Sequence, residues 1–236
     1  MLTLKILTLC ATLAAFLVWG FVPAQAAPNP KLSDPSALKE KAPETFQARF
    51  DTSKGVFVIE VTRACAPSGA DRFYNVVRNG NYDYVRFFRA LYAAMAQFGI
   101  NGDPALNNVW SVARIPDDPV QESNKRGFVT FAMGGPNTRT TQIFINYADR
   151  NMGLDEQGFS PFGKVIEGME VVDKLNGEYG EGAPQGKGPN QGRIQAEGNA
   201  YLAKSFPNLD YIKTATILTG EAGKAPEKQP EPPPAK

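Results

Sequence analysis

The sequence predicts a mainly β protein, an antiparallel barrel or sandwich. Short runs rich in Val, Ile, Phe and Thr recur through the middle of the chain. Glycine (22) and proline (19) are plentiful and punctuate those runs with turns. The two helical patterns are too few, and badly placed, for a parallel sheet crossed by helices.

Taken in order, TFQARFDT (45–52) and VFVIEVTR (56–63) alternate in polarity around Ser53-Lys54-Gly55, which reads as a hairpin. In PSGADRFYNVVRNG (67–80), Phe73, Val76 and Val77 share one helical face, and Gly80 is a natural residue just past the helix end. VRFFRA (85–90) returns to strand-like content. ALYAAMA (90–96) is a local conflict, because its alanines favour helix. GFVTFAM (127–133), TQIFINY (141–147) and FGKVIEG (162–168) read as strands, and MEVVDKLNG (169–177) as a short helix ending at Gly177. Residues 178–199, rich in Gly and Pro, read as an extended loop, and YIKTATIL (211–218) as a closing strand.

The ends differ in character from the middle. Residues 1–26 read as an export signal: Lys5, an apolar run from Ile6 to Val22, then Ala24-Gln25-Ala26, with Ala27 as the first mature residue. The run approaches the length of a spanning helix, so retention as an anchor is the alternative to cleavage; the small-x-small site directly after it favours cleavage. The expected location is thus exported, periplasmic or secreted. Residues 27–45 read as a polar linker, although SDPSALKEKA has the composition of a short helix. Residues 220–236 read as a disordered, Pro-rich tail. The globular domain is then 46–219.

Composition excludes several chemistries. The chain has no histidine, which removes Ser-His-Asp and Cys-His hydrolysis and the usual ligands of catalytic zinc. The formal net charge is +1, giving no pull toward nucleic acid. No glycine-rich phosphate loop follows a strand, so no cofactor is expected. DRNMGLDEQG (149–158) has the spaced Asp and Asn of a calcium loop but its glycine falls one place early, so it reads as a turn and no metal is expected. Removing residues 1–26 leaves one cysteine, Cys65, between two alanines, which reads as a small apolar residue rather than a reactive thiol.

One apolar stretch, FFRALYAAMAQFG (87–99), carries an arginine, and a guanidinium buried without partners is costly. If the stretch is extended, Arg89, Met95 and Gln97 have the same parity and share a face; Gln142 and Phe144 share another. Together they make one guanidinium, two amides and two apolar groups. That set has no nucleophile and no general base, but it suits holding a peptide with a donor aimed at one atom.

Three motifs carry a family resemblance. FFRALYAAMAQFGINGD (87–103) resembles the F-[HF]-R-x-x-P-x-F-M-x-Q-G-G-D signature of cyclophilins, the prolyl cis/trans isomerases. FAMGGPNTRTTQIFI (131–145) and LDEQGFSPFGKVIEGMEVVDKL (154–175) resemble two further cyclophilin motifs, in the same order. The long loop and AEGNAYL resemble an elaboration of exported bacterial members. The resemblance implies a closed eight-stranded antiparallel barrel capped by two helices, acting on Xaa-Pro bonds in proline-containing peptides and unfolded proteins, with monomer as the default state.

By the same resemblance, Arg89 is the catalytic guanidinium and Gln97 orients it. Met95, Phe144 and Leu154 map onto the pocket for the proline ring, and Phe159 lies near a position where the family often has histidine. Gln142 and the backbone of Ala132 and Met133 grip the peptide. The family's Pro-Gly-Phe is here Tyr92-Ala93-Ala94, so Ala94 replaces the phenylalanine floor of the pocket. Reduced activity on small peptides is the expectation. The alternative is a non-catalytic module, chaperone-like, that binds proline peptides on the same fold.

Overall fold

The computed structural model describes residues 28–218; the segment expected to be an export signal (1–26) and the Pro-rich stretch 220–236 lie outside the described residues. Eight antiparallel strands form one curled sheet. They are β1 (Thr45–Thr52), β2 (Gly55–Thr62), β3 (Arg89–Leu91), β4 (Met95–Phe98), β5 (Phe128–Phe131), β6 (Ile143–Asn146), β7 (Pro161–Glu167) and β8 (Ile212–Leu218). Their spatial order is β3-β4-β6-β5-β7-β2-β1-β8.

β1 and β2 pair in unbroken register from Thr45↔Thr62 to Thr52↔Gly55, as their alternating sequences require. Phe50 and Phe57 sit directly opposite and stack at 5.0 Å between ring centroids. Around them lies an aromatic core that includes Phe73, Tyr82, Phe98, Phe131 and Phe162. Phe73 comes from α1 (Pro67–Arg78), whose apolar face also buries Val76 and Val77, and Gly80 follows its end at φ 77°.

The barrel is not closed, contrary to the expectation. β3 and β8 are the two edges of the sheet. Across the gap, Tyr84–Phe87 makes only a short seam: Tyr84 N–H donates to Ile212 O (2.8 Å), Ile212 N–H to Val85 O (2.9 Å) and Phe87 N–H to Asp210 O (3.0 Å). Tyr84 adopts φ 60°, which no strand continues through, so the seam ends there.

The helices also depart from the two that were expected. The 169–177 pattern yields only α3 (Met169–Val172). Two more form: α2 (Pro104–Trp110), started by Asp103, whose carboxylate accepts from Ala105 N–H, and α4 (Gln191–Ser205), started by Asn190, which accepts from Arg193 N–H. α4 replaces the second half of the expected extended loop. It buries Ile194, Tyr201 and Leu202 in a separate cluster with Phe88, Ile100 and Leu209. Gly198 breaks α4 at φ 59°, which lets Gly102 O approach closely and accept from Asn199 N–H at 2.9 Å.

Residues 28–44 are not a linker. They run as two single 3-10 turns, Pro30–Ser33 and Pro35–Ala37, and bury Leu32, Leu38 and Ala42 in the main core. Trp110 Nε1 donates to Leu32 O at 2.9 Å. The polar composition misled because three spaced apolar residues are enough to anchor the arm. Among the described residues, no helix is long and apolar enough to cross a membrane.

Candidate active site

FFRALYAAMAQFG is neither one strand nor a helix. It is a tight hairpin, β3 and β4, turned by Tyr92-Ala93-Ala94 with Ala93 at φ 63°. Arg89 lies directly opposite Gln97, and Leu91 opposite Met95. The sharing of a face by Arg89, Met95 and Gln97 therefore comes from cross-strand pairing as well as parity. The alanines' helical preference loses because the sheet pairs both halves of the segment, β4 with β6 on its other side.

From that hairpin a polar relay crosses the sheet. Arg89 Nη1 donates to Gln97 Oε1 at 3.0 Å, and Gln97 Nε2 donates to Gln142 Oε1 at 3.0 Å. Gln97 is buried, so its amide is held, while Arg89 stays partly exposed at the mouth of a cavity of about 550 Å³. Met95, Phe144, Leu154 and Phe159 supply the apolar lining, with Phe144 and Phe159 in edge contact at 6.0 Å.

The structure brings Arg89, Met95, Gln97, Ala132, Met133, Gln142, Phe144, Leu154 and Phe159 together around this one cavity. Ala94 is not among its lining residues. It ends the hairpin turn, where its carbonyl accepts from Tyr147 N–H (2.8 Å) and Asn151 Nδ2 (3.0 Å), and its methyl group is too short to form a floor. Tyr92 does not refill the space: it is 66% exposed and its hydroxyl accepts from Gly177 N–H at 3.1 Å. Ala132 N–H is committed to Gln142 O at 2.9 Å, so a peptide has that residue's carbonyl, not its N–H, to bond.

Five lining residues escaped the sequence reading: Thr138, Thr140, Glu181, Gln185 and Gln191. The threonines were inside a quoted motif and flank Arg139, which points inward to Asp118 (3.0 Å); alternation turns its neighbours to the cavity. Glu181 had no local signal. It lies 92 positions from Arg89, in a segment that reads as a loop, yet its carboxylate takes the guanidinium side-on. Arg89 Nε donates to Glu181 Oε1 (2.7 Å) and Nη2 to Oε2 (2.6 Å). The hydrogen bonds from Arg89 hold the Glu181 carboxyl below its ordinary range.

An arginine kept charged beside an apolar pocket, with amides to grip a main chain and no nucleophile, matches what rotation about an amide needs. The comparisons agree. Residues 47–196 match the model of the cyclophilin type peptidyl-prolyl cis-trans isomerase family. The chain belongs to the cyclophilin-type peptidyl-prolyl isomerases. It is 33% identical over 129 residues to a peptidyl-prolyl cis-trans isomerase of Acinetobacter baylyi, covering 52% of this chain and 68% of that one. It is 28% identical over 141 residues to peptidyl-prolyl cis-trans isomerase B of Escherichia coli, covering 54% and 82%. A cyclophilin type isomerase structure from Cryptosporidium parvum superposes with a TM-score of 0.54 at 20% identity, over 75% of this cyclophilin and 99% of that chain, which establishes the shared fold. A second structure of that protein was determined in the presence of the dipeptide Ala-Pro (TM-score 0.52, 19% identity, 74% and 99% covered).

Cys65 lies outside this site. Burial pushes its thiol up, with Glu122 adding to the effect, as suits an inert side chain.

Proposed function

We propose that this cyclophilin is an exported folding catalyst, turning Xaa-Pro bonds in proteins that fold beyond the cytoplasmic membrane. The observation that carries the catalytic half is Arg89, held by Gln97 at the edge of the pocket formed by Met95, Phe144, Leu154 and Phe159. Export rests on the residues of the 1–26 segment alone.

The chemistry follows from the amide. Its rotation barrier is about 18–20 kcal/mol, and the uncatalysed step takes tens to hundreds of seconds. Twisting removes resonance and makes the proline nitrogen pyramidal and basic. A guanidinium N–H aimed at that nitrogen binds the twisted state better than either planar state, and that difference is catalysis. The ring of the proline enters the apolar pocket, while Gln142 and the Ala132 carbonyl hold the flanking main chain. No bond to carbon forms, so no general base is required.

A second reading, a proline-peptide-binding module with little turnover, is favoured by one observation: Ala94 leaves the pocket without the floor that its motif position supplies elsewhere in the family. Exchange NMR on a short Ala-Pro peptide separates the two. The isomerase reading expects the mature chain to accelerate exchange and Arg89→Ala to lose roughly 100-fold or more of that acceleration. Binding shifts without acceleration would establish the module instead.

A further inference from the structure

We propose that Glu181 is a positioning residue for Arg89, a second clamp that acts with Gln97. The role rests on the isomerase reading above. Arginine presents five N–H donors in a planar fork. Nε and one N–H of Nη2 go to the two oxygens of Glu181, and one N–H of Nη1 goes to Gln97 Oε1. The other Nη1 N–H lies against Met95 Sδ at 3.4 Å, a weak acceptor. One N–H of Nη2 is left over, on the end of the fork away from Nε. The two clamps therefore grip different edges of the same plane and fix its tilt, while leaving a donor for the substrate nitrogen.

The carboxylate is itself built in. Gly182 N–H donates to Glu181 Oε1 at 2.8 Å, and Gly188 N–H donates to the Glu181 carbonyl at 2.8 Å. Gly186 N–H donates to Gly182 O (3.0 Å) and Ala183 N–H to Gly188 O (3.1 Å), so the segment is a bonded turn. A side chain at Gly186 would strike the Glu181 carbonyl, which is why the turn needs glycine there. On one side Tyr179 packs edge-on against Phe206 at 5.0 Å. On the other, Asn190 starts α4 and donates through its N–H to the Tyr201 hydroxyl at 3.2 Å. The extended loop expected over 178–199 is thus corrected: its first part is a hydrogen-bonded bracket. A bracket of this kind holds a geometry, whereas a gate would need an element free to swing. Among the described residues, Glu181 and Arg89 are the only ionisable side chains lining the cavity, so each is the other's dominant charge there.

The test is Glu181→Gln, which keeps the size and removes the charge and one acceptor. Two quantities are read on an Ala-Pro peptide: its Kd by NMR titration, and the exchange rate of bound peptide. A third is the Arg89 Nε–H resonance, which the bidentate pair shifts and protects from solvent exchange. The expected result is a bound-state exchange rate about tenfold lower, a Kd changed less than about twofold, and loss of the protected Nε–H signal. An unchanged rate overturns the role. A faster rate also overturns it and makes the carboxylate a brake. Equal losses of affinity and rate overturn it in favour of general damage to the pocket. If wild type itself fails to accelerate exchange, and matches Arg89→Ala, the isomerase reading falls and the role with it.

Discussion

Arg89 and Gln97 are direct cross-strand partners in the β3–β4 hairpin, joined by Nη1 to Oε1 at 3.0 Å. Their backbone pairing is fixed by β-register, not by a flexible loop, and the side-chain bonds to Gln97 and Glu181 then hold the guanidinium. Gln97 also passes a hydrogen bond to Gln142 at 3.0 Å, linking the donor to a second amide on the cavity wall.

Gln97→Ala should therefore lower kcat/KM by roughly tenfold, as expected for a reacting group let loose from its geometry. Gln97→Glu tests the same bond differently. It keeps the acceptor for Arg89 but loses the N–H that reaches Gln142, and steady-state rates should fall between wild type and Gln97→Ala. Equal activity for all three would show that Glu181 alone suffices to hold Arg89.

Ala94→Phe should raise kcat/KM several-fold on small Ala-Pro peptides. Burying a large apolar side chain is worth about 1.5–3 kcal/mol, and even part of that contact in the twisted state gives up to tenfold per 1.4 kcal/mol. The turn can accept the change because the Ala94 bonds to Tyr147 and Asn151 run through its carbonyl. A side-by-side exchange measurement checks it; no gain would mean that Phe159 and Phe144 already close the pocket.

The sequence was a good guide wherever a short motif met regular pairing. Phe50 and Phe57 announce their hairpin by alternation, and Phe73, Val76 and Val77 announce their helix by period. Arg89 with Gln97, and Gln142 with Phe144, were legible because each pair lies within one motif that is continuous along the chain, 87–103 and 131–145. What failed was anything decided between distant segments. Glu181 reaches Arg89 from a turn that precedes α4, and α4 docks on Phe88 and Ile100 through Ile194, Tyr201 and Leu202; no local pattern contains either contact. The arm at 28–44 was misread for the same reason, since Leu32 is buried in the main core and its carbonyl accepts from Trp110 Nε1, 78 positions away. The seam between the sheet edges stops at Tyr84, whose left-handed conformation has no signature in its side chain.

The Arg89–Glu181 pair makes a pH prediction. Hydrogen bonds from Arg89 hold the Glu181 carboxyl below the ordinary value, outweighing the desolvation that pushes it up. A carboxyl with a depressed folded pKa contributes fully above its ordinary value, about 4.3, and the contribution is lost as pH falls through the depressed one. Near neutrality the clamp is therefore intact. Following the Glu181 side-chain carbon by NMR through an acid titration should give a low midpoint in wild type and a higher one in Arg89→Ala. Coincident midpoints would show that the two groups do not interact in solution.

Asp118 yields the clearest stability prediction. α1 starts at Pro67 after Ala66, which offers no side-chain cap. Asp118 fills that place from 50 positions away, accepting from Ser68 N–H and Gly69 N–H, each at 2.9 Å. The same carboxylate accepts from Arg139 Nη2 at 3.0 Å, and the Arg139 guanidinium is only 2% exposed. Asp118→Ala removes the remote cap and the nearest carboxylate of a buried charge together. Breaking a buried pair from one side costs about 3–5 kcal/mol, well above the roughly 1 kcal/mol of a lost cap, so the buried charge sets the size of the loss. Urea unfolding should report a fall in that range. Asp118→Ala combined with Arg139→Met should recover part of it, because the double variant no longer strands a guanidinium in the core. Additive losses in the cycle would mean that Asp117, 3.2 Å from Arg139 Nε, already neutralises it and that Asp118 serves the helix alone.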